Sequence, residues 1–373
     1  MTYNLGVVGV GHWFERLYAG MVKTNDIRLL KVASASGIEK KRDQISRLGV
    51  PEENYYKIDG FDINDGFFDG IDAVQISDPV EFHASQTLQA LSRGVATITE
   101  KSWAANRADF DKVVKYITAN GLEEKSYLHL HYLHKLLTIE LPELLTKFTG
   151  EHGRIVGTSA TFFEVENLGE QTKRKWLFSM NNGGLFMDWI HPFEVYFRGA
   201  GAARMDLSDI TNYMVNDKYS TVNPTGVYAH SGLEGEFFKK RVHAKIRIAK
   251  GVGVGQQKEA MAFVFESGHR LGLNFIHSEI EFTSDIRGTW ELYDADGLLV
   301  DSGAPKGPTS SDILVNDIVC LCKGKNLGLT VQDVAFLFKP QWQYQDSVSK
   351  SGELVKDRNE VEGFISDGLA NKV

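Results

Sequence analysis

The chain has 373 residues, enough for two domains at a prior of roughly 150 residues each. Its 42% hydrophobic and 24% charged residues exclude collagen-like, low-complexity and largely disordered chains. The net charge of −8, with basic residues dispersed except in short runs such as Lys173 to Lys175, lacks the electrostatic footprint of a nucleic-acid or anionic-membrane binder.

The first third alternates short apolar runs with helical patterns. Asn4 to Val10 (NLGVVGV) reads as a buried strand, followed by an amphipathic helix carrying Leu17, Met21 and Val22. Ile27 to Ser34 predicts a second strand, Lys40 to Leu48 a helix, and Ala73 to Ile76 a strand introduced by Ile71 and Asp72. A helix around Ala84 to Ser92, a strand at Val95 to Thr99, a helix from Asn106 to Thr118 and a strand at Tyr127 to His131 follow. Strands separated by helices at this spacing predict a doubly wound sheet of parallel strands.

Near residue 150 the pattern changes. Arg154 to Val165, Arg241 to Ile248, Met261 to Phe265, Leu271 to Ile276, Glu279 to Phe282 and Thr289 to Tyr293 are strand-like. Val242, Ala244, Ile246 and Ile248 fall on one face, with His243, Lys245 and Arg247 on the other. Asp294 to Gly297 (DADG) is a turn between two such runs. A largely antiparallel sheet with one face against helices is expected. A helix capped by Ser311 or Asp312 runs to about Cys322, and the tail after Tyr344 reads as polar and partly unordered.

Cys320 and Cys322 are too few for a disulfide framework or a four-cysteine zinc site, and read as packed thiols. No run approaches the apolar length that spans a bilayer, and the start of the chain lacks a basic region followed by an apolar one. The cytoplasm is therefore the expected compartment.

Gly9 and Gly11 close the first strand as Gly-x-Gly-x-x-Phe, with Phe14 at the third position. One glycine makes a tight turn and the next lets the backbone approach a pyrophosphate, so strand, loop and helix together predict a dinucleotide site. Gly251, Gly253 and Gly255 precede strand-like residues instead and read as a hairpin loop. The second strand ends in Ala33, Ser34, Ala35, Ser36 and Gly37, without the carboxylate that accepts from the adenosine ribose of NAD, and Lys40, Lys41 and Arg42 follow. Ser36 with Lys40 or Lys41 suits a ribose 2′-phosphate, which favours NADP, with NAD as the alternative.

Glu100, Lys101 and Ser102 follow the strand ending at Thr99, on the edge where ligands bind in such sheets. Asp188 and His191 share a face if their segment is helical, Glu194 continues that face, and Pro192 marks a helix that is only beginning or is kinked there. His129, His131 and His134 lack a carboxylate to complete a metal set, so no metal is expected; His129 and His131 are read as substrate contacts.

These residues resemble the glucose-fructose oxidoreductase, inositol dehydrogenase and MocA family. The likeness rests on the Gly-x-Gly unit, the Glu100-Lys101 step, the Gly183-Gly184…Asp188…His191 segment, Asp72-Ala73-Val74 with Asp78-Pro79 and His83, and the Ser36-Gly37-x-x-Lys40-Lys41 stretch. It implies a Rossmann domain (1–132) followed by an α+β domain (133–373) with a large, mostly antiparallel open-faced sheet. It also implies Lys101, Asp188 and His191 as catalytic residues in an active site set between the domains. Cofactor contacts are then expected from Gly9, Gly11, His12, Trp13, Ser36, Gly37, Lys40, Lys41, Ser77, Pro79, His83 and Glu100, and sugar contacts from His129, His131, Lys175 and Trp176. Ser102 stands where the family pattern has proline. Asp188 and His191 are three residues apart instead of four, which turns the imidazole by about 100°. The activity implied is hydride transfer between NADP(H) and a sugar, polyol or related hydroxy compound, in a homo-oligomer (dimer or tetramer). Non-catalytic dinucleotide-sensing regulators and NAD-dependent glycoside hydrolases are the alternatives within that family.

Overall fold

The computed structural model describes residues 2–11, 14, 18, 21, 23–59, 61–165, 190–213, 228–237, 240–252, 258–275, 288–325, 327–351 and 366. The chain begins with β1 (Tyr3–Val8), β2 (Ile27–Ser34), α1 (Ile38–Arg47), β3 (Tyr55–Lys57), β4 (Ala73–Ile76), α2 (Val80–Ser92), β5 (Ala96–Glu100), α3 (Arg107–Asn120) and β6 (Ser126–His129). The six strands are ordered β3-β2-β1-β4-β5-β6, and every pairing is parallel. This is the doubly wound arrangement. Strand order reverses next to β1, and crossovers leaving toward opposite sides open a crevice at the carboxyl ends of the strands there.

Both faces of this sheet are covered, as continuous apolar strands require. Leu5, Val7, Val32 and Ile98 belong to one buried cluster, and Val8, Ala33, Val74 and Ile76 to the other. Gly6 lets the second cluster close on β1: an added Cβ would stand 2.7 Å from Ile71 Cδ1 and 2.9 Å from Phe67 Cζ. Local signals bound the helices. Asn106 caps α3 by accepting from Asp109 N at 2.9 Å, and Gly121 ends it at φ 62°.

The second part of the chain contains α4 (Leu136–His152), β7 (Ile155–Val165), α5 (Ile190–Arg198), β8 (Arg204–Tyr213), β9 (Tyr228–Phe237), β10 (Lys240–Val252), β11 (Lys258–Phe265), β12 (Arg270–Asn274), β13 (Thr289–Tyr293) and β14 (Leu299–Gly303). The eight strands are ordered β14-β13-β12-β11-β7-β10-β9-β8. All pairs are antiparallel except β7 with β10, so the sheet is mixed. Register places Thr158, Ala160 and Phe162 of β7 beside Ala244, Ile246 and Ile248 of β10, and beside Phe263, Met261 and Glu259 of β11. The expected alternation in β10 holds: Val242, Ala244, Ile246 and Ile248 are buried, while His243 and Lys245 are exposed. On the side of the sheet opposite Phe162, Thr161, Phe163, Ala260 and Ala262 are buried as well. The DADG turn joins β13 to β14, with Asp294 Oδ1 accepting from Asp296 N at 3.0 Å and Leu298 N at 2.8 Å.

Two helices follow, α6 (Ser310–Cys322) and α7 (Val331–Ser351). Compactness divides the chain into residues 1–130 with 311–336, and residues 131–310 with 337–373. Leu314, Val315, Ile318, Val319 and Leu321 of α6 pack into the same cluster as Leu5, Val7 and Ile27, so this late helix completes the core of the first unit.

Several expectations change. The strand expected at Tyr127–His131 ends at His129, and His131–His134 is a 3-10 turn whose amides are bound by a carboxylate described below. Of the tail after Tyr344, expected to be polar and partly unordered, the residues to Ser351 belong to α7, and residues 352–365 and 367–373 lie outside the described residues. The expected strand at Glu279–Phe282, Leu17 and Val22 of the first predicted helix, Gly253 and Gly255 lie outside the described residues.

Candidate active site

In the first unit, β1 runs into Gly9 at φ +87°, a conformation that favours glycine. Gly9 N donates to Ala33 O at 2.9 Å, and Ser77 N donates to Val8 O at 2.8 Å, which draws the loop after β4 against the glycine. A Cβ on Gly9 would stand 2.6 Å from Asp78 N and 2.7 Å from Ser77 C. The protein's own packing therefore demands Gly9. At Gly11, in contrast, an added Cβ meets nothing within 4 Å among the described residues, so their packing does not demand glycine there. Phe14, at the third motif position, is wholly buried in the core. Lys41 Nζ donates to Val10 O at 3.1 Å and to Gln44 Oε1 at 2.9 Å, and Gln44 Nε2 donates to the same carbonyl at 3.0 Å. Lys41 thus braces the glycine loop.

At the carboxyl end of β2, Ser36 and Gly37 are half-buried and Lys40 is exposed. The Tyr55 hydroxyl donates to Ser36 O. Burial raises the Tyr55 pKa, the charges of Glu39 and Asp78 add to the rise, and a bond with Ser34 opposes it. Asp78 is itself raised by burial, against stabilisation of its anion by Gln86 Nε2 at 2.9 Å and by His83.

Pro79 precedes the first turn of α2. One turn on, buried His83 bridges the loops after β4 and β5, with Nε2 2.6 Å from Asp78 O and Nδ1 2.6 Å from Ser102 O. The Lys101–Ser102 peptide bond is cis. Lys101 is half-buried beside wholly buried Ser102. Glu100 and His129 pair across β5 and β6, and Glu100 Oε1 lies 2.6 Å from His129 Nδ1 with both residues buried. Glu100 Oε1 also accepts from Gln75 Nε2 at 3.5 Å. Parallel pairing brings this carboxylate–imidazole pair and Lys101 to one edge of the sheet.

The second unit holds another such pair. His191 lies in the first turn of α5, where Pro192 costs no intrahelical bond. Its Nδ1 is 3.2 Å from Glu194 Oε1. Glu194, with no exposed surface, uses Oε2 to accept from Tyr132 N at 2.8 Å and Leu133 N at 3.2 Å. The His191 ring lies 4.5 Å between centroids from both His131 and Tyr132. Behind it the Tyr132 hydroxyl donates to Glu259 Oε2, and Lys135 Nζ donates to the same oxygen at 3.3 Å while lying 3.8 Å from the Tyr132 ring centre. Desolvation lowers the Lys135 pKa, opposed by Glu259 and Glu194. This arrangement holds the His191 ring in one orientation, with Nδ1 engaged by a carboxylate.

Of the residues expected at the site, His12, Trp13, Lys175, Trp176 and Asp188 lie outside the described residues. His129 and His131, expected within one strand, are placed differently: His129 ends β6 against Glu100, and His131 packs on His191. Glu194, Tyr132, Lys135 and Glu259 carry no spacing signal linking them, except that Glu194 follows His191 by one helical turn.

No family model matches the chain, and no curated protein matches it in sequence. Among solved structures the chain is similar to KijD10, a 3-ketoreductase from Actinomadura kijaniata solved with NADP and TDP-benzene. The TM-score is 0.72 at 16% identity, covering 95% of this chain and 99% of that one. It is also similar to GnnA, a UDP-N-acetylglucosamine 3-dehydrogenase from Acidithiobacillus ferrooxidans, with a TM-score of 0.66 at 13% identity, covering 95% and 100%. The chain has the fold of these oxidoreductases, a six-stranded doubly wound unit with a mixed-sheet unit.

Proposed function

We propose that the chain is an NADP(H)-dependent oxidoreductase of the glucose-fructose oxidoreductase, inositol dehydrogenase and MocA type, acting on a sugar, polyol or related hydroxy compound. The observation that carries the reading is the carboxyl edge of the six-stranded sheet. It brings together an open glycine position at Gly11, Lys101, and the buried Glu100–His129 pair. The sugar class is supported by the fold neighbours, a 3-ketoreductase and a sugar-nucleotide 3-dehydrogenase.

Gly9, Gly11 and the loop at Ser77 would hold the dinucleotide phosphates, and Ser36, Gly37 and Lys40 its adenosine ribose. When bound, the nicotinamide supplies the hydride acceptor or donor. Hydride loss from an alcohol leaves a proton to remove and an alkoxide to stabilise. Lys101 is assigned to hold the reacting hydroxyl through its ammonium group. His191 is assigned as the base, with Glu194 keeping Nδ1 engaged. Asp188 and the contacts expected from His129, His131, Lys175 and Trp176 belong to the same reading.

Self-association is part of the proposal. The edge strand β14 and the turn before it expose Leu298, Leu299 and Val300, an apolar edge that pairing with another copy would cover. No described helix is long and apolar enough to cross a membrane, and a cytoplasmic location is proposed on that basis together with the composition.

The test is a panel of aldoses, polyols, inositols and sugar nucleotides with both dinucleotides, followed by reduced-nicotinamide absorbance. Sugar release without redox change would favour the hydrolase alternative, and dinucleotide binding without turnover the regulator. Gly11→Val makes the binding half of the test clean: a Cβ at this position meets nothing within 4 Å among the described residues, so a folded variant should lose dinucleotide binding, and unchanged affinity would remove the loop from the site.

A further inference from the structure

We propose that Glu39 narrows the preference between NADP and NAD, standing in for the carboxylate that the end of β2 lacks. The inference rests on the dinucleotide reading above. In a doubly wound sheet the residues just beyond the second strand meet the adenosine ribose, and an acidic side chain there accepts from the free 2′-hydroxyl. This chain has Ser34, Ala35, Ser36 and Gly37 at that place. Glu39, in the first turn of α1, folds its carboxylate back over Gly37.

Gly37 makes this placement available. Its φ of −70° is open to any residue, so the backbone does not require glycine. The missing side chain leaves the space instead: a Cβ added at Gly37 would overlap both carboxylate oxygens of Glu39 and push that flexible side chain aside. Among the described residues the Glu39 carboxylate forms no hydrogen bond or ion pair, and its charge is felt by Tyr55, whose hydroxyl holds Ser36 O.

The cations of the neighbouring run are differently disposed. Lys41 is bound to Val10 O and Gln44, and Arg42 pairs with Glu52 at 2.8 Å. Lys40 is exposed and is the cation left to meet a 2′-phosphate. A phosphate dianion at this corner therefore meets one attractive and one repulsive charge, whereas a 2′-hydroxyl finds an acceptor. NAD is accommodated alongside NADP, and Glu39 narrows the difference between them.

The test is calorimetric titration of the full-length protein with NAD⁺ and with NADP⁺, for wild type, Glu39→Gln and Gly37→Ala. Removing the charge should tighten NADP⁺ relative to NAD⁺ by about tenfold, the scale of one charge pair a few Å apart in a water-exposed corner. Gly37→Ala, which displaces the carboxylate and leaves it charged, should move the ratio in the same direction. Raising the salt concentration should shrink the Glu39→Gln effect, as screening requires. An unchanged NADP⁺ to NAD⁺ ratio in Glu39→Gln overturns the proposal and leaves the dinucleotide reading standing. Failure of wild type to bind either dinucleotide overturns both.

Discussion

Replacing Lys101 by Ala removes the cation assigned to the reacting hydroxyl and leaves the glycine loop untouched. Dinucleotide affinity should stay nearly constant while hydride transfer falls by a factor on the order of 100. His191→Ala should produce a comparable loss, because its Nδ1 is committed to Glu194 and its ring is fixed against His131 and Tyr132. Both belong in single-turnover experiments, where product release cannot mask the chemical step; wild-type rates in Lys101→Ala would end the assignment. Cys322 offers a test of a different kind. Burial, with a contribution from Asp72, pushes its thiol up to about 12. Its thiolate is then scarce at pH 8, and thiol reagents should leave it unmodified in the native chain over a period that labels the urea-unfolded chain fully. Equal labelling rates would contradict the packed-thiol reading.

Between elements, one carboxylate makes several of the bonds that join α5 to the turn His131–His134. Glu194 joins the His191 imidazole to the amides of Tyr132 and Leu133, and Arg198 Nη1 adds a bond to Leu133 O at 2.9 Å. Glu194→Ala leaves two buried amides without an acceptor, at a cost of roughly 2–4 kcal/mol. Glu194→Gln keeps an acceptor oxygen and should cost less. Urea unfolding of the two variants checks the order, and equal stability would mean water replaces the carboxylate. The turn itself was not legible in the sequence. Tyr127–His131 alternates as a strand does, and the carboxylate that accepts from the amides of the turn stands about sixty residues later. The helix α4 is masked in the sequence for a local reason: Pro142 lies inside it, although Leu137, Leu141, Leu145 and Phe148 form its buried stripe.

For the whole molecule, the consequential feature is the return of the chain to its first unit. Leu314 and Ile318 are fully buried against residues from the start of the sequence. Ile318→Ala should lower the stability of the first unit by about 2–5 kcal/mol. The corresponding truncation, residues 1–130 alone, should be cleaved rapidly by protease at concentrations that leave the full chain intact. A stable, protease-resistant fragment 1–130 would show that α6 is dispensable to the core.

The sequence by itself determined the doubly wound unit, because buried parallel strands are written as continuous apolar runs and each lies next to its helix in the chain. It determined the place of Gly9 and Gly11 and the alternation of β10 for the same reason: these signals are local and periodic. Tertiary structure decided that Glu100 meets His129, that Glu194 orients His191, that Lys135 and Tyr132 converge on Glu259, and that Glu39 covers Gly37. It also decided that α6 belongs with β1. These pairings depend on strand order, helix docking and side-chain direction, and most of them join residues far apart in the chain.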